Sequence, residues 1–458
     1  MPYKGQITEY LRRVKSSYWF IPSVMAIAAV VAAIGSIEAD LRGLRWLGDW
    51  EILYANKPDG ARSLLSTIAG SMIGVAGVTF SITIAAVAYA SSQFGPRIID
   101  NFMKDRGNQI TLGTFISTFV YCLLVLRIVR SGEENAFVPH GSVFVGVVFA
   151  MASLAVLIFF IHHIPESIHI SKLVAKIGHE LINRVDDVYP MTEAEDLELQ
   201  VDTESIDLAR PTHVVRSENE GHIQSLDIQA LTDFAGGHKV LLYLTAEPGE
   251  FVVRGQVLAN IYGDLDLLDP GAVRKHFIIG DERSPTQDLF YLSDQLLDIA
   301  GRALSPGVND PQTAISCIHW LNSTLAHLGH RRFPSKYRTT EDNRVVLVTV
   351  QRDFTTFVDS FYDQLRQYVE RDRNTSIATL ESAIKTMECL PPTECLALRK
   401  AATRLVEGCR LHFTHGRDIE QLQELQRRIS QTNSSSFQLR KATSVGNGGD
   451  DDPPAPRS

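Results

Sequence analysis

Residues 64–93 read LLSTIAGSMIGVAGVTFSITIAAVAYASSQ, and this uncharged run decides the class of protein. A helix rises about 1.5 Å per residue, so the run would reach roughly 45 Å, whereas the hydrocarbon core of a bilayer is about 30 Å thick. The run therefore predicts a transmembrane helix that tilts or projects beyond the bilayer.

Small residues recur every four positions within this run, in two rows that let helix backbones approach closely in lipid. Hydroxyl side chains are frequent between them. Two interpretations stay open: helix packing with interhelical hydrogen bonds, or a polar-walled pathway lined by this span. The candidate residues for either role are Ser66, Gly70, Gly74, Gly77, Thr79, Ser81 and Ala85.

Three further uncharged apolar stretches, residues 19–37, 110–126 and 143–161, are long enough to cross a bilayer. We therefore predict four transmembrane helices. Charged residues are absent from all four stretches, which argues against a proton relay, a voltage sensor or a carboxylate-coupled transporter.

Lysine and arginine side chains near the spans set the predicted orientation. Taken together, the segments before the first span, between the second and third spans and after the fourth span contain more lysines and arginines than the other two connections. Both termini are therefore expected in the cytoplasm, as in a multi-pass inner-membrane protein. The five cysteines are scattered without metal-ligand spacing, so we expect them to be reduced and buried.

The chain of 458 residues divides into unlike parts. We predict a four-helix transmembrane domain followed by a soluble α+β domain with a small barrel-sandwich-like β module and a helical region. The predicted boundaries are a cytoplasmic segment at 1–18, the transmembrane domain at 19–164, a linker helix and connection at 165–212, the β module at 213–280, a mainly helical domain at 281–433 and a disordered acidic, Pro- and Gly-rich tail at 434–458.

Residues Gly249 to Leu258 carry the pattern G-x-x-V-x-x-G-x-x-L, which resembles one hairpin of the barrel-sandwich hybrids of biotinyl and lipoyl domains. The glycines permit positive-φ turns, and Val252 and Leu258 are expected in the core. Carrier versions need a lysine at a second hairpin tip, but no lysine occurs between Lys239 and Lys275. We therefore expect no covalent cofactor.

Candidate sites for chemistry are few in the rest of the chain. His162, Glu166 and His169 are spaced to share one helix face, which leaves a metal site open without a visible fourth ligand. Asp288, Asp294 and Asp310 lack a partner base or nucleophile, and Asn309 or Asp310 suffices as a helix cap before Pro311. G-x-S-x-G, H-E-x-x-H and phosphate-loop motifs are absent, so we expect no enzyme.

Five runs of the sequence together resemble one family: SYWFIPS, LLSTIAGSMIGVAGVTFSIT, ASSQFGPRIIDNFMKDRGNQITLGTFISTFVYCLLVLR, FIHHI and DIAGRALSPGVNDPQTAI. This family is the bacterial predicted membrane proteins known as domain of unknown function 2254. The resemblance covers about Tyr18 to Gln426. It implies a bacterial inner-membrane protein and supplies neither an activity nor a catalytic residue.

The leading functional hypothesis is an oligomeric, channel-like or transport-related membrane protein regulated by its cytoplasmic domain. The rival is a membrane-anchored scaffold or sensor without transport. The expected partners are the lipid bilayer and further copies of the chain. Nucleic acid is not expected, because the sequence has no basic stripe with interleaved aromatic residues. The identity of any ion or small-molecule ligand stays open.

Overall fold

The computed structural model describes residues 17–42, 57–95, 105–130, 137–189, 211–263, 269–340, 342, 344–350 and 352–432. The chain splits into two compact units, Met1–Leu173 and Val174–Ser458. The expected tail at 434–458 and most of the expected N-terminal segment lie outside the described residues.

The first unit is a bundle of four helices, each long and apolar enough to cross a membrane, which confirms the predicted spans. The helices are α1 (Phe20–Leu41), α2 (Pro58–Phe94), α3 (Arg106–Ile128) and α4 (His140–Ile168). Helix α3 contacts the other three and is the most buried. Its Phe115, Tyr121 and Cys122 are fully enclosed, so the interior of the bundle is filled with side chains.

The helical pattern of the sequence runs on from the fourth span towards Val188, but the structure divides this stretch into two helices. Helix α4 ends at Ile168, and His169 takes extended backbone angles before α5 (Ile170–Val188) begins. The division between the two units falls within α5. One face of α5 is buried in the second unit, where Gly178 lies against the ring of Trp320. The amphipathic pattern of α5 therefore serves the soluble unit.

The second unit combines short strands with helices, which confirms the predicted α+β class. Its strands are β1 (His213–Arg216), β2 (Gly221–Leu226), β3 (Leu241–Leu244), β4 (Phe251–Val252), β5 (Val257–Tyr262), β6 (Phe277–Gly280), β7 (Tyr337–Thr339) and β8 (Val345–Val348). Its remaining helices are α6 (Ile228–His238), α7 (Gly271–Arg274), α8 (Leu289–Ala303), α9 (Pro311–Leu328), α10 (Phe354–Val369), α11 (Arg373–Cys389), α12 (Pro392–Arg410) and α13 (Gly416–Gln431).

The strands form two sheets around one core. The first sheet has the order β1-β5-β3-β8-β7 and the second has the order β4-β2-β6. Strands β3 and β8 pair in parallel, and the other described pairs are antiparallel. Side chains of both sheets and of α6 share one buried cluster. The β module is therefore completed by β7 and β8, which follow two helices in the chain and lie outside the 213–280 segment.

The turn pattern at Gly249 to Leu258 is confirmed in detail. Gly249 and Gly255 have φ angles of +91° and +89°, which L side chains rarely adopt. Val252 and Leu258 are fully buried. The module also contains helix α6, whereas its sequence predicts a β module.

Aspartates begin several helices of the second unit. Asp310 accepts a hydrogen bond from the Thr313 amide at 3.2 Å and precedes Pro311 at the first turn of α9, which confirms the capping interpretation. Asp288 caps α8 in the same way through the Phe290 amide at 3.0 Å. Such caps satisfy amides that otherwise lack a partner at a helix start.

Two glycine substitutions should differ in cost. Gly255→Ala introduces only backbone strain, since an added Cβ meets no described atom within 4 Å, so it should cost roughly 1–3 kcal/mol of unfolding free energy. Gly249→Ala should cost more, because its Cβ would also collide with the Asp288 carboxylate. Urea unfolding of the full chain in detergent would measure both.

Gly237→Ala is the matched control, because Gly237 lies in α6 with free space around it and should be neutral or slightly stabilising. Equal stability of all three variants would contradict the assigned turns.

Candidate functional site

The small residues of α2 form one continuous face that points out of the protomer. Ser66, Gly70, Gly74, Gly77, Ser81 and Ala85 are all exposed. A Cβ added to Gly70, Gly74 or Gly77 meets no atom of the described chain within 4 Å. At about 100° per residue, the two rows fall within one sector of roughly 100°, so they act as a single strip. We call these six residues the small-residue face.

Thr79 does not belong to this face. It is 3% exposed and lies on the opposite side of α2 with Leu65, Ala76 and Thr83. Leu65 packs into a core with Tyr121 and Cys122 of α3, and Ala76 packs against Phe115 of the same helix. Of the candidate residues, Thr79 therefore contributes to packing within the protomer.

Hydroxyls near the small-residue face donate their protons to the helix itself. Ser81 Oγ donates to the Gly77 carbonyl at 2.9 Å, and Thr67 Oγ1 donates to the Ser63 carbonyl at 2.8 Å. Since a hydroxyl oxygen also has two acceptor lone pairs, these side chains retain acceptor capacity towards the outside. The face is uncharged and offers acceptors.

Close approach inside the bundle depends on glycines that the sequence did not single out. An added Cβ at Gly113 of α3 would come within 3.2 Å of the Pro22 Cα in α1. One at Gly146 of α4 would come within 3.2 Å of a Leu65 methyl in α2. Small residues are the usual means of close helix contact in lipid. Their isolated positions within apolar runs gave no periodic signal.

Polar contacts also hold the ends of the bundle. Asp40 accepts from the Gly141 and Ser142 amides at 3.2 and 2.8 Å, so it caps the start of α4 from another helix. The Tyr121 hydroxyl donates to the Ser142 carbonyl at 3.0 Å. Asp105, the N-cap of α3, contacts His163 Nε2 at 2.8 Å. These contacts are between residues remote in sequence, which explains why sequence patterns missed them.

Of the possible metal ligands, Glu166 is already engaged in an ion pair with Lys172. His162 Nε2 lies 3.8 Å from Glu166 Oε1, while Glu166 is paired with Lys172 at 2.8 Å. His169 lies at the C-terminal cap of α4. Among the described residues, no three His, Cys, Asp or Glu side chains are grouped so that they could hold a metal ion.

The described cysteines are free thiols, but they are not all buried as expected. Cys122, Cys317, Cys395 and Cys409 are buried, whereas Cys389 at the end of α11 is exposed. Burial raises the pKa of the Cys317 thiol well above its ordinary value, so this residue is unreactive.

The second unit contains a cavity of about 260 Å³ at the carboxyl ends of the parallel strands β3 and β8. We call it the strand-end cavity. Its apolar lining residues are Val188, Leu226, Ile228, Leu244, Ala246, Pro248, Leu289, Pro334, Val350 and Phe357. Its polar lining residues are Tyr189, Glu247, Gln287, Ser335, Arg338, Thr349 and Arg352.

A network of ion pairs supports one side of this cavity. Arg352 makes two hydrogen bonds to the Glu247 carboxylate, at 2.7 and 2.8 Å, and lies over the Phe290 ring at 4.4 Å. It also approaches Asp288 at 3.8 Å. Asp288 is 1% exposed and pairs with Arg283, which bonds Asp294 as well. Asp288 and Asp294 are therefore structural partners of arginines.

Arg338 and Tyr189 differ from this network. Arg338 Nη1 donates to the Ser335 carbonyl at 2.5 Å, and no carboxylate of the described chain pairs with it. Burial lowers the pKa of the Arg338 guanidinium from its ordinary value. Tyr189 is 9% exposed, and burial raises the pKa of its hydroxyl to about 12. That hydroxyl has no hydrogen-bond partner within the described part of the chain.

The bundle and the mixed sheets together define a multi-pass membrane protein with an α+β soluble unit. Residues 15–384 match the family described as predicted membrane protein (DUF2254), so the chain belongs to this family.

Two relatives are mycobacterial. The chain is 29% identical over 377 residues to the uncharacterized protein MT1328 of Mycobacterium tuberculosis (strain CDC 1551 / Oshkosh), which covers 80% of this chain and 72% of the relative. It is 28% identical, with the same coverage, to the uncharacterized protein Mb1321c of Mycobacterium bovis (strain ATCC BAA-935 / AF2122/97). No solved structure matches the chain.

Proposed function

We propose that the protein is a homo-oligomeric, channel-like inner-membrane protein in which the small-residue face of α2 meets other copies and borders a pathway between them. The soluble unit regulates this assembly. The outward direction of the small-residue face is the observation that carries the proposal.

Lipid chemistry supports the oligomer. A helix face that meets acyl chains needs no glycines, whereas a face that meets another helix gains close van der Waals contact from them. In this bundle α2 already packs through its opposite side. The six residues of the small-residue face therefore suit a contact with a second copy.

The polarity of α2 supports a pathway between protomers. The interior of the bundle is filled by Phe115, Tyr121 and Cys122, which favours a route outside a single protomer. Ser81 presents acceptor lone pairs and no charge, which suits water or a partly hydrated cation. These features give no argument for an enzyme.

The rival proposal is a membrane-anchored scaffold or sensor without transport. The strand-end cavity favours it, because a polar and apolar cavity in a soluble unit suits ligand sensing. Both proposals include a homo-oligomer, but only the channel proposal predicts ion flux across the membrane.

We also propose that both termini are cytoplasmic. The support is the excess of lysine and arginine in the N-terminal flank, the connection after α2 and the segment after α4. This orientation places the second unit in the reducing cytoplasm, where free thiols persist.

Leucine substitutions should separate assembly from folding. Gly70→Leu and Gly74→Leu should weaken self-association tenfold or more, about 1.4 kcal/mol, because leucine fills the contact strip. Native mass spectrometry or light scattering in detergent would measure this. The thermal stability of the protomer should stay unchanged, since neither glycine is contacted in it.

Gly35→Leu is the matched control for assembly. Gly35 is an exposed glycine of α1, and an added Cβ meets no described atom within 4 Å. This variant should assemble like the wild type. If Gly70→Leu and Gly74→Leu also assemble normally, the packing argument is wrong.

Flux of K⁺ or Na⁺ into liposomes should distinguish the channel from the scaffold. Ser81→Ala should change the flux while the assembly stays intact, because it removes an outward acceptor. Thr79→Val should leave flux unchanged, because Thr79 is buried on the other side of α2. Absence of flux in the wild type under every imposed gradient would refute the channel and leave the scaffold.

Thiol labelling of intact cells should report the orientation. An impermeant maleimide should label Lys57→Cys in a Cys389→Ser background from the periplasm. The native exposed Cys389 and an Arg216→Cys variant should react only after permeabilisation. Reaction of Arg216→Cys, but not Lys57→Cys, in intact cells would reverse the assigned topology.

A further inference from the structure

We propose that the strand-end cavity binds a small organic anion, whose carboxylate or phosphate group pairs with Arg338 and whose apolar body contacts Leu226, Leu244 and Phe357. The proposal concerns the second unit alone, so it is independent of conduction by the spans.

The location of the cavity follows from the sheet. Leu244 ends β3, and Thr349 and Val350 follow β8, so the chain leaves both parallel strands at the cavity. Where parallel strands end, their connections diverge and leave a crevice with exposed backbone, which is the usual place for ligands in sheets with parallel strands. Among the described strands, β3 and β8 are the parallel pair.

The charges of the lining favour an anion. The cavity is lined by two arginines and one carboxylate, which leaves one positive charge in excess. Glu247 is fully engaged by Arg352 through two hydrogen bonds. Arg338 bonds only backbone carbonyls in the described chain, Ser335 at 2.5 Å and Tyr337 at 3.4 Å.

A half-buried guanidinium without a carboxylate partner is costly, because burial penalises its charge. A bound carboxylate or phosphate would offset that cost through paired, charge-assisted hydrogen bonds, which the planar guanidinium forms well. Arg338 is therefore the anchor for the charged group.

Tyr189 supplies an independent sign of a ligand. The residue is 9% exposed and lines the cavity, and its hydroxyl makes no hydrogen bond within the described chain. Since burial keeps the hydroxyl protonated, it is a donor for the oxygen of an anion.

The size and walls of the cavity restrict the rest of the ligand. Its volume of about 260 Å³ is just below the range of pockets for drug-sized molecules, roughly 300–1,000 Å³, so it fits a small metabolite. The aliphatic side chains and the Phe357 ring favour an apolar or aromatic body. The Gln287 side chain is occupied by two hydrogen bonds to the Leu226 backbone, which leaves it little capacity for a polar body.

Fluorine NMR on the full chain in detergent tests the proposal with three probes. These are 4-fluorobenzoate, 4-fluorophenyl phosphate and the neutral 4-fluorobenzamide. At least one anion should bind with a dissociation constant below about 1 mM, and the neutral amide should bind at least tenfold more weakly. The stronger of the two anions identifies the preferred head group.

Variants locate the binding site. Arg338→Gln should weaken anion binding at least tenfold and leave amide binding unchanged, whereas Arg338→Lys should retain part of the affinity. Tyr189→Phe removes only the hydroxyl and should weaken anion binding severalfold. It provides a second test of the site if Arg338→Gln fails to fold. Arg373→Gln is the control, because Arg373 pairs with Asp418 elsewhere on the second unit.

Two results would overturn the proposal. One is the absence of submillimolar binding of both anions to the wild type. The other is equal anion affinity in the wild type and in the folded Arg338 or Tyr189 variants, which would place the binding elsewhere.

Discussion

In hydrocarbon, two helices gain nothing from burying apolar side chains against each other, because lipid is equally apolar, so the bundle depends on close packing. Glycines of α3 and α4 permit this packing. Gly113 admits α1, and Gly146 of α4 admits the Leu65 side chain of α2. Hydrogen bonds also stabilise the ends of the bundle. Asp40 of α1 bonds to the start of α4, and Asp105 at the start of α3 bonds to His163 of α4. The same need for close packing explains why the glycines of α2, which contact nothing in the protomer, suit a contact with another helix.

The second unit follows the opposite rule, since water makes apolar burial favourable there. Two small sheets and α6 share one core, and β8 brings a distant part of the chain into it. The Arg352 network joins Glu247, which follows β3, to Phe290 and Asp288 at the start of α8. This network holds one wall of the strand-end cavity in place. It also pairs the carboxylate of the lining, Glu247, with Arg352. Arg338 is thereby left as the group that an incoming anion would meet.

Much of this architecture could be predicted from local sequence. Uncharged runs gave the four spans, glycine spacing gave the turns at Gly249 and Gly255, and Asp310 before Pro311 gave a helix start. Each of these features depends on neighbouring residues. The break at His169 has no local signal, because the amphipathic pattern of α5 begins directly after it.

Features that depend on distant contacts could not be predicted. The sequence singled out the small residues of α2 but could not say which face of the helix α3 would cover, and that choice placed Thr79 inside and Gly74 outside. Strand β8 joins β3 across about a hundred residues of chain, so the sheet and its cavity had no local signal. The pairing of His163, rather than His162, with an aspartate likewise arises from the meeting of α3 and α4.

Oxidative cross-linking in native membranes tests most directly whether the small-residue face of α2 contacts another copy of the chain. Gly74→Cys and Gly35→Cys would each be compared in a Cys389→Ser background, where the remaining cysteines are buried. We expect a disulfide-linked dimer for Gly74→Cys and none for Gly35→Cys. No cross-link at Gly74→Cys, or equal cross-linking at both positions, would contradict this contact.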